Sequence, residues 1–268
     1  MMSKQMSNST IEKISECKTI FNNLKEDEPE LINIDINENE IRANMTKWLV
    51  FLCNSLNFNL QTLLRSVIIF DKFISVSNLF NSKETTQEKL NLITVACLSL
   101  ATKMEEINCN YVSFFTEKVL NMPNCQIFTV KDLTKMEMEI LKELKYKTLY
   151  SSAEDFLGVY LELFKTAFLA DSQFLQNIKV ISEDLIKENL INNSFITMSQ
   201  SDFAFLCFTQ ALAQFGINQN FVAKEFEVFL QNFHGNMFVS KNKVDDMIND
   251  SNEKYKKINV LVSSISTL

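Results

Sequence analysis

Two charged residues lie on or beside apolar helix faces, where charge is costly. Asp71 falls on the apolar stripe of a predicted helix, in step with Leu64 and Val67. A buried carboxylate needs a cation close by, because an unpaired buried charge is strongly unfavourable. Arg42 flanks the apolar face of the preceding predicted helix, and its guanidinium can fork onto a carboxylate as lysine cannot. Arginine is scarce in this lysine-biased chain, so we predict a buried Arg42–Asp71 pair rather than two unrelated surface charges.

A second group of charges surrounds the end of another predicted helix. Glu137 lies at the edge of the apolar stripe of its helix, and Lys103 closes the third predicted helix, where a cation suits the helix dipole. Glu105 and Glu106 follow at once, where negative charge is unfavourable to the same dipole. The pattern alone leaves open whether Lys103 and Glu137 interact. For Glu105 and Glu106 it favours an ordinary solvated helix end.

No group of residues has the pattern of a catalytic or cofactor site. No serine, cysteine or acid pair shows a nucleophile–base arrangement, and there is no glycine-rich phosphate loop. The single histidine, His234, stands beside Gly235 without partner residues of catalytic type. The six cysteines are scattered without a C-x-x-C motif, which favours reduced structural thiols over a zinc site. We therefore expect no catalysis by this chain, no cofactor and no metal.

The composition favours an all-α protein. The chain has 268 residues, 46% of them hydrophobic and 22% charged, but only 3 glycines and 2 prolines. Sandwiches, barrels and doubly wound folds need many tight turns or glycine-rich loops, which so few of these residues cannot supply. The net charge of -7 argues against a nucleic-acid partner. No apolar run approaches a membrane span, and the start lacks the apolar core of a signal peptide, so we expect an intracellular protein with no membrane partner.

Apolar residues recur at helical spacing in two sets of five segments, with a polar break near residue 150. Residues 1–37 precede them as a polar, acidic extension with one weakly amphipathic stretch. The first set covers 41–56, 60–74, 87–104, 111–120 and 130–146, and the second covers 153–169, 174–191, 201–215, 221–233 and 243–265. The third segment of each set is the most apolar, as expected for a central, surrounded helix. The pattern predicts an extension with a helix at 1–37, one five-helix bundle at 38–149 and a second at 150–268.

Four segments of the first predicted bundle resemble the cyclin box, in the order that the cyclin family has them. Ile41–Asn59 resembles its opening, with matches at Arg42, Ala43 and Trp48 to Val50 and departures at Ile41, Asn44, Met45 and Lys47. The other three are FDKFIS at 70–75, CLSLATKMEEI at 97–107 and KMEMEILKELKYKT at 135–148. Upstream, TIFNNLKEDEPE at 19–30 is similar to the N-terminal helix of mitotic cyclins. The second half resembles the family in helix pattern only.

The resemblance implies two stacked five-helix bundles that bind and activate a cyclin-dependent protein kinase in a 1:1 heterodimer. By this resemblance, Lys103 and Glu137 would form the charged centre of the kinase-binding face. Arg42 and Asp71 would form the family's buried structural ion pair. The positions that match the surroundings of that centre are Met104, Glu105, Glu106, Leu141 and Leu144. The protein would then be a non-catalytic regulator of the cell cycle in the nucleus or the cytoplasm.

A second surface implied by the resemblance is an apolar patch that docks kinase substrates or inhibitors. It maps onto Ile41, Met45 and Trp48. Asn44 interrupts it, and Phe51 stands where an acidic residue often helps to bind a basic motif, so these two positions argue against docking of the usual arginine-x-leucine type. Trp48 alone would more often be a core residue.

Two other functions remain open from the sequence. The first is a cyclin-fold adaptor or scaffold that has no kinase partner, and the acidic net charge counts against a DNA-contacting version of it. The second, a helical enzyme, has the least support because no catalytic constellation is visible. Kinase activity that co-purifies with the protein would separate the kinase regulator from the adaptor.

Overall fold

The computed structural model describes residues 8–32, 36–77, 86–106, 115–119, 121–122, 128–168, 170–191 and 194–217. Within these ranges the chain is helical and contains no strand, which confirms the all-α prediction. The chain divides into units of residues 1–215 and 216–268, and the helices below all belong to the first. The helices predicted at 221–233 and 243–265, and half of the one at 111–120, lie outside the described residues. Among the described helices, none combines the length and apolar character that crossing a membrane requires.

The described helices follow the predicted apolar segments closely. They are α1 (Asn8–Glu26), α2 (Ile36–Leu56), α3 (Leu60–Ser77), α4 (Gln87–Glu105), α5 (Val130–Glu143), α6 (Ala153–Phe168), α7 (Ser172–Asn189), α8 (Ser194–Thr197) and α9 (Gln200–Gln214). A single π-helical turn, Phe115–Val119, lies between α4 and α5. Only α8 had no counterpart in the sequence pattern. The domain boundaries predicted near residues 37 and 150 stay predictions.

Side-chain caps fix where several helices begin. Thr86, the predicted N-cap of α4, accepts a hydrogen bond from the backbone nitrogen of Lys89. At α5, Thr129 and Asp132 form a reciprocal capping box, which satisfies two backbone donors that the first turn would leave free. Ser199 caps α9 in the same manner as Thr86 caps α4. These caps define the ends of helices whose apolar faces alone would leave their limits loose.

Helix α4 is the core of the first half. Every residue from Ile93 to Thr102 is buried, so this helix is surrounded on all sides, as its apolar circumference predicted. It packs against α2, α3 and α5. The packing brings the C-terminal end of α4 next to the middle of α5, which places the two candidate charges Lys103 and Glu137 on neighbouring helices.

The N-terminal helix packs on the second half of the described chain through aromatic rings. Phe21 of α1 is 1% exposed, and its ring centre lies 5.4 Å from that of Phe156 and 6.1 Å from that of Tyr160, both on α6. The Tyr160 hydroxyl donates to the carbonyl of Ser201 at 3.1 Å, and its ring stacks near Phe208 at 6.2 Å. Helix α1 is therefore bound to α6, which in turn contacts α9.

Arg42 and Asp71 form a buried bidentate pair between α2 and α3. Arg42 Nε donates to Asp71 Oδ1 at 2.7 Å, and Nη2 donates to Oδ2 at 2.9 Å, with the residues 1% and 3% exposed. Arg42 Nη1 donates to the carbonyl oxygen of Leu190 at 3.1 Å, where α7 ends. The guanidinium also lies 5.7 Å from the ring centre of Phe195 in α8. The pair thus connects α2 and α3 with the end of α7.

We expect Arg42→Ala to destabilise the isolated chain by roughly 3–5 kcal/mol, because it leaves the buried Asp71 carboxylate without its cation. The measurement is the free energy of unfolding in denaturant, without any partner protein. Lys47→Ala, an exposed position on the same helix, is the matched control and should change stability little. Equal stability of Arg42→Ala and wild type would contradict the buried pair.

Candidate functional site

Lys103 and Glu137 form an ion pair between the last turn of α4 and the middle of α5. Lys103 Nζ lies 2.6 Å from each carboxylate oxygen of Glu137. The Ser99 hydroxyl, one turn earlier on α4, donates to Glu137 Oε1. The Glu137 side chain is 8% exposed and that of Lys103 is 40% exposed. The carboxylate is therefore held below the surface by hydrogen bonds, while the ammonium group of Lys103 reaches the surface.

Glu105 and Glu106 do not form the solvated helix end that the sequence pattern favoured, so that expectation was wrong. Arg65 Nε, on α3, donates to Glu105 Oε1 at 2.7 Å, and Arg65 also donates to the carbonyl of Tyr150. Glu106 Oε1 accepts a hydrogen bond from the Thr62 hydroxyl at 2.7 Å. Both carboxylates thus bind the end of α4 to α3. These partners are distant in sequence, so helical periodicity could not reveal them.

Three apolar residues selected from the sequence differ in exposure. Met104 is half-buried, and its sulfur accepts a hydrogen bond from the Thr148 hydroxyl at 3.6 Å. Leu141 on α5 is also half-buried, whereas Leu144 is 7% exposed and belongs mainly to the core. Met104 and Leu141 therefore offer apolar surface beside the ion pair, and Leu144 supports it from below.

Two exposed apolar side chains beside these residues had no signal in the sequence pattern. Tyr146 is 64% and Leu149 is 65% exposed, in the segment after α5. The chain reverses there through left-handed backbone at Lys145 (φ 50°) and Tyr146 (φ 62°), and the Tyr146 nitrogen donates to the carbonyl of Leu141 at 2.7 Å. The sequence has no glycine here to indicate such a turn. The exposure of Tyr146 and Leu149 to solvent is therefore visible only in the structure.

We call the combined area the α4/α5 surface. Its residues are Lys103, Met104, Glu105, Glu106, Glu137, Leu141, Leu144, Tyr146 and Leu149. A half-exposed ion pair with apolar and aromatic neighbours has the make-up of a protein-binding surface rather than that of an enclosed small-molecule pocket. Within the part of the chain that the structure describes, no group of three or more His, Cys, Asp or Glu side chains could hold a metal ion.

The other predicted patch lies on α2 and is only partly accessible. Met45 is 6% exposed and therefore buried, whereas Ile41 and Trp48 are half-buried. Asn44 is exposed between them, and Phe51, one turn after Trp48, is 51% exposed. Of the three residues predicted, Ile41 and Trp48 are accessible and Met45 is not, and Phe51 adds exposed apolar area on the same helix.

Glu154, in the first turn of α6, has an unusual electrostatic environment close to Glu105. Burial raises the pKa of its carboxyl to about 7, and the charges of Glu183, Asp155 and Glu105 act in the same direction against the attraction of Lys179. Its Oε2 is buried and has no hydrogen-bond partner among the described residues. The folded chain therefore holds the proton of this carboxyl to a higher pH than a free glutamate side chain does.

A family model described as "Cyclin, N-terminal domain" matches residues 5–149 of the chain. Among curated proteins, the chain is 31% identical to G2/mitotic-specific cyclin-A of Hydra viridissima over 158 residues, which are 59% of this chain and 33% of that protein. It is also 31% identical to G2/mitotic-specific cyclin-B2 of Rana japonica over 134 residues, covering 47% and 31% of the two chains. The matched regions thus span about a third of these two relatives.

Two solved structures are similar to the chain in fold. The first is a viral cyclin from herpesvirus saimiri, with a TM-score of 0.62 and 20% identity over 87% of this chain and 93% of that one. The second belongs to the CAK complex of Chaetomium thermophilum bound to ATP-gamma-S, with a TM-score of 0.56 and 12% identity over 96% of this chain and 75% of that one. At these identities the similarity shows a common fold.

We expect the stability of the wild-type chain to include a component that is lost as the pH rises. The folded-state pKa of Glu154, about 7, lies above the ordinary value of 4.5 for a free side chain, so between these values the folded state holds a proton that the unfolded state releases. This component is complete below pH 4.5 and disappears as the pH passes 7. Glu154→Gln mimics the protonated form, so it should melt above wild type at pH 8 and match it more closely at pH 5.5.

Thermal melts at the two pH values measure this difference. Glu162→Gln, on the same helix and 43% exposed at its side chain, changes the net charge equally and is the control. Identical pH dependence in Glu154→Gln and wild type would rule out the proposed protonation.

Proposed function

Because the chain belongs to the cyclin family, we propose that it is a non-catalytic regulatory subunit that binds and activates a cyclin-dependent serine/threonine kinase and thereby controls cell-cycle progression. The observation that carries the proposal is the Lys103–Glu137 pair, with its carboxylate buried and its ammonium at the surface. The names of the similar mitotic cyclins support a role in cell division. We further propose a 1:1 complex in the nucleus or cytoplasm.

The local geometry supports the α4/α5 surface as the kinase-binding face. Glu137 is fixed by Ser99 and Lys103, so the ammonium group of Lys103 is held in one place before any partner arrives. Glu105 and Glu106 are fixed on α3, which positions the end of α4. A preformed surface of this kind loses little side-chain entropy on binding. Exposed Tyr146 and Leu149 add apolar area that a partner can bury.

The proposed mechanism is a shift of population in the kinase. Protein kinases need a mobile helix in the correct position, because its glutamate must pair with the lysine that holds the ATP phosphates. A regulator that binds this helix better in its active position stabilises the active state by the difference in binding free energy. In this role the chain supplies a rigid surface, and all catalytic groups belong to the kinase.

The accessible part of α2 supports a secondary role in docking kinase substrates or inhibitors. Ile41 and Trp48 are half-buried, and Phe51 is exposed on the same helix. Since Met45 is buried, it would support such a site from within rather than contact the bound segment.

We expect Lys103→Glu to abolish kinase binding and leave the chain folded. The change places a second carboxylate beside Glu137 at the interface, and loss of a desolvated interfacial charge typically costs about 2–5 kcal/mol. Glu137 loses its cation but keeps the hydrogen bond from Ser99, and the side chain at position 103 is exposed enough to be solvated, so we expect a lower melting temperature but a folded chain. The measurement is a pull-down with the tagged chain from dividing cells of its source organism, with the kinase identified by mass spectrometry and by histone phosphorylation.

Lys165→Glu is the matched control, because Lys165 lies on exposed surface of α6 and the change in net charge is the same. Tyr146→Ala tests the same face without altering charge, and we expect it to weaken binding as well. Full kinase binding by folded Lys103→Glu and Tyr146→Ala would refute the assignment of this surface. Helical partners recovered from wild type without kinase activity would instead support the adaptor.

A further inference from the structure

Two ammonium groups lie close to the ring of one buried tyrosine. Lys72 Nζ, on α3, is 5.9 Å from the ring centre of Tyr150, and Lys147 Nζ is 5.5 Å from it. Tyr150 is 8% exposed, so the ring that both lysines approach is itself largely buried. Both distances are within the range of a cation–π contact, which holds each ammonium near the ring. Two positive charges are thereby concentrated in a chain whose net charge is -7.

Neither ammonium group forms an ion pair with a carboxylate in the described part of the chain. Lys72 Nζ donates to the backbone carbonyl of Glu30 at 2.7 Å, an uncharged acceptor, and no ion pair joins Lys72 or Lys147 to a described carboxylate. Burial lowers the pKa of Lys72 and the charge of Lys147 lowers it further, whereas the charges of Glu30 and Asp71 act in the opposite direction. By contrast, Arg42, Arg65 and Lys103 each hold a carboxylate.

Apolar side chains border the two lysines, and the structure connects them to the α4/α5 surface. Leu31, next to Glu30, is 57% exposed, and Leu149, next to Tyr150, is 65% exposed. The carbonyl of Tyr150 accepts a hydrogen bond from Arg65, the residue that holds Glu105. Leu149 stands between Thr148, which donates to Met104 of the α4/α5 surface, and Tyr150, whose ring both lysines approach, so the chain joins the two areas directly.

We propose that Lys72 and Lys147 form a docking site for an acidic side chain of the kinase partner, an aspartate or glutamate flanked by an apolar residue that packs on Leu149 or Leu31. This inference rests on the proposed function. A carboxylate beside the Tyr150 ring is attracted by both ammonium groups and relieves their mutual repulsion. Because Lys72 is half-buried, this attraction is less screened by solvent than that of an ordinary surface pair.

The test is the dissociation constant for the kinase recovered in the pull-down, produced recombinantly and treated with phosphatase. We expect Lys147→Glu to weaken binding about tenfold at low salt, mainly through slower association, and to reduce its salt dependence. Lys72→Gln should weaken binding in the same direction. Lys165→Glu, with the same change in net charge as Lys147→Glu, should stay within about twofold of wild type. Thermal melts of all variants, with Lys147 exposed and therefore tolerant of change, establish that they are folded.

Each outcome decides between the proposals. If wild type binds the kinase and Lys103→Glu does not, but Lys147→Glu and Lys72→Gln bind like wild type, the docking site is refuted and the proposed function stands. If the wild-type chain binds no kinase, both fail. If the two lysine variants weaken binding only to kinase that has not been treated with phosphatase, the site recognises a phosphate, and the carboxylate assignment is wrong.

Discussion

The arrangement of the described helices depends on one buried guanidinium. Arg42 directs its three nitrogens to two oxygens of Asp71 and to the carbonyl at the end of α7. A helix C-terminus carries partial negative charge, so this carbonyl is a suitable third acceptor for a buried cation. A shift of α2 by one residue would move the guanidinium away from all of these acceptors and leave two charges unpaired in the core. The pair therefore specifies the register of α2 against both α3 and α7.

Helix α3 transmits this register to the α4/α5 surface. Asp71 fixes it at one end, and Arg65 and Thr62, about two turns earlier, hold Glu105 and Glu106 at the end of α4. Since Lys103 stands two residues before Glu105, the position of its ammonium group depends on the same contacts. A residue buried far from the surface thus helps to position the helix that carries Lys103.

The sequence predicted the helices that show an apolar period and the one ion pair whose carboxylate interrupts such a period. It did not predict contacts between residues that leave no mark on the helical pattern. Apolar spacing gave the main described helices, and Asp71 on an apolar stripe required a buried cation, for which Arg42 was the suitable choice. The Arg65–Glu105 pair could not be predicted in this way, because the two residues stand 40 positions apart and neither interrupts an apolar stripe. The four-residue α8 is too short to show a period, and the left-handed turn at Lys145 and Tyr146 lacks the glycine that usually marks one.

The cationic side chains discussed above differ in how deeply they and their partners are buried. This difference decides whether another protein can contact the charge. Arg42 and Asp71 are both enclosed, so every hydrogen bond of the pair lies within the fold and none is available to another protein. In the Lys103–Glu137 pair only the carboxylate is enclosed, so the protein fixes the position of a charge that a partner can still contact. At Lys72 and Lys147 the tyrosine ring holds two charges in place without a carboxylate to neutralise them. Groups whose electrostatic environment is perturbed in this way cluster at functional sites, which is the reason for testing these two lysines as a binding site.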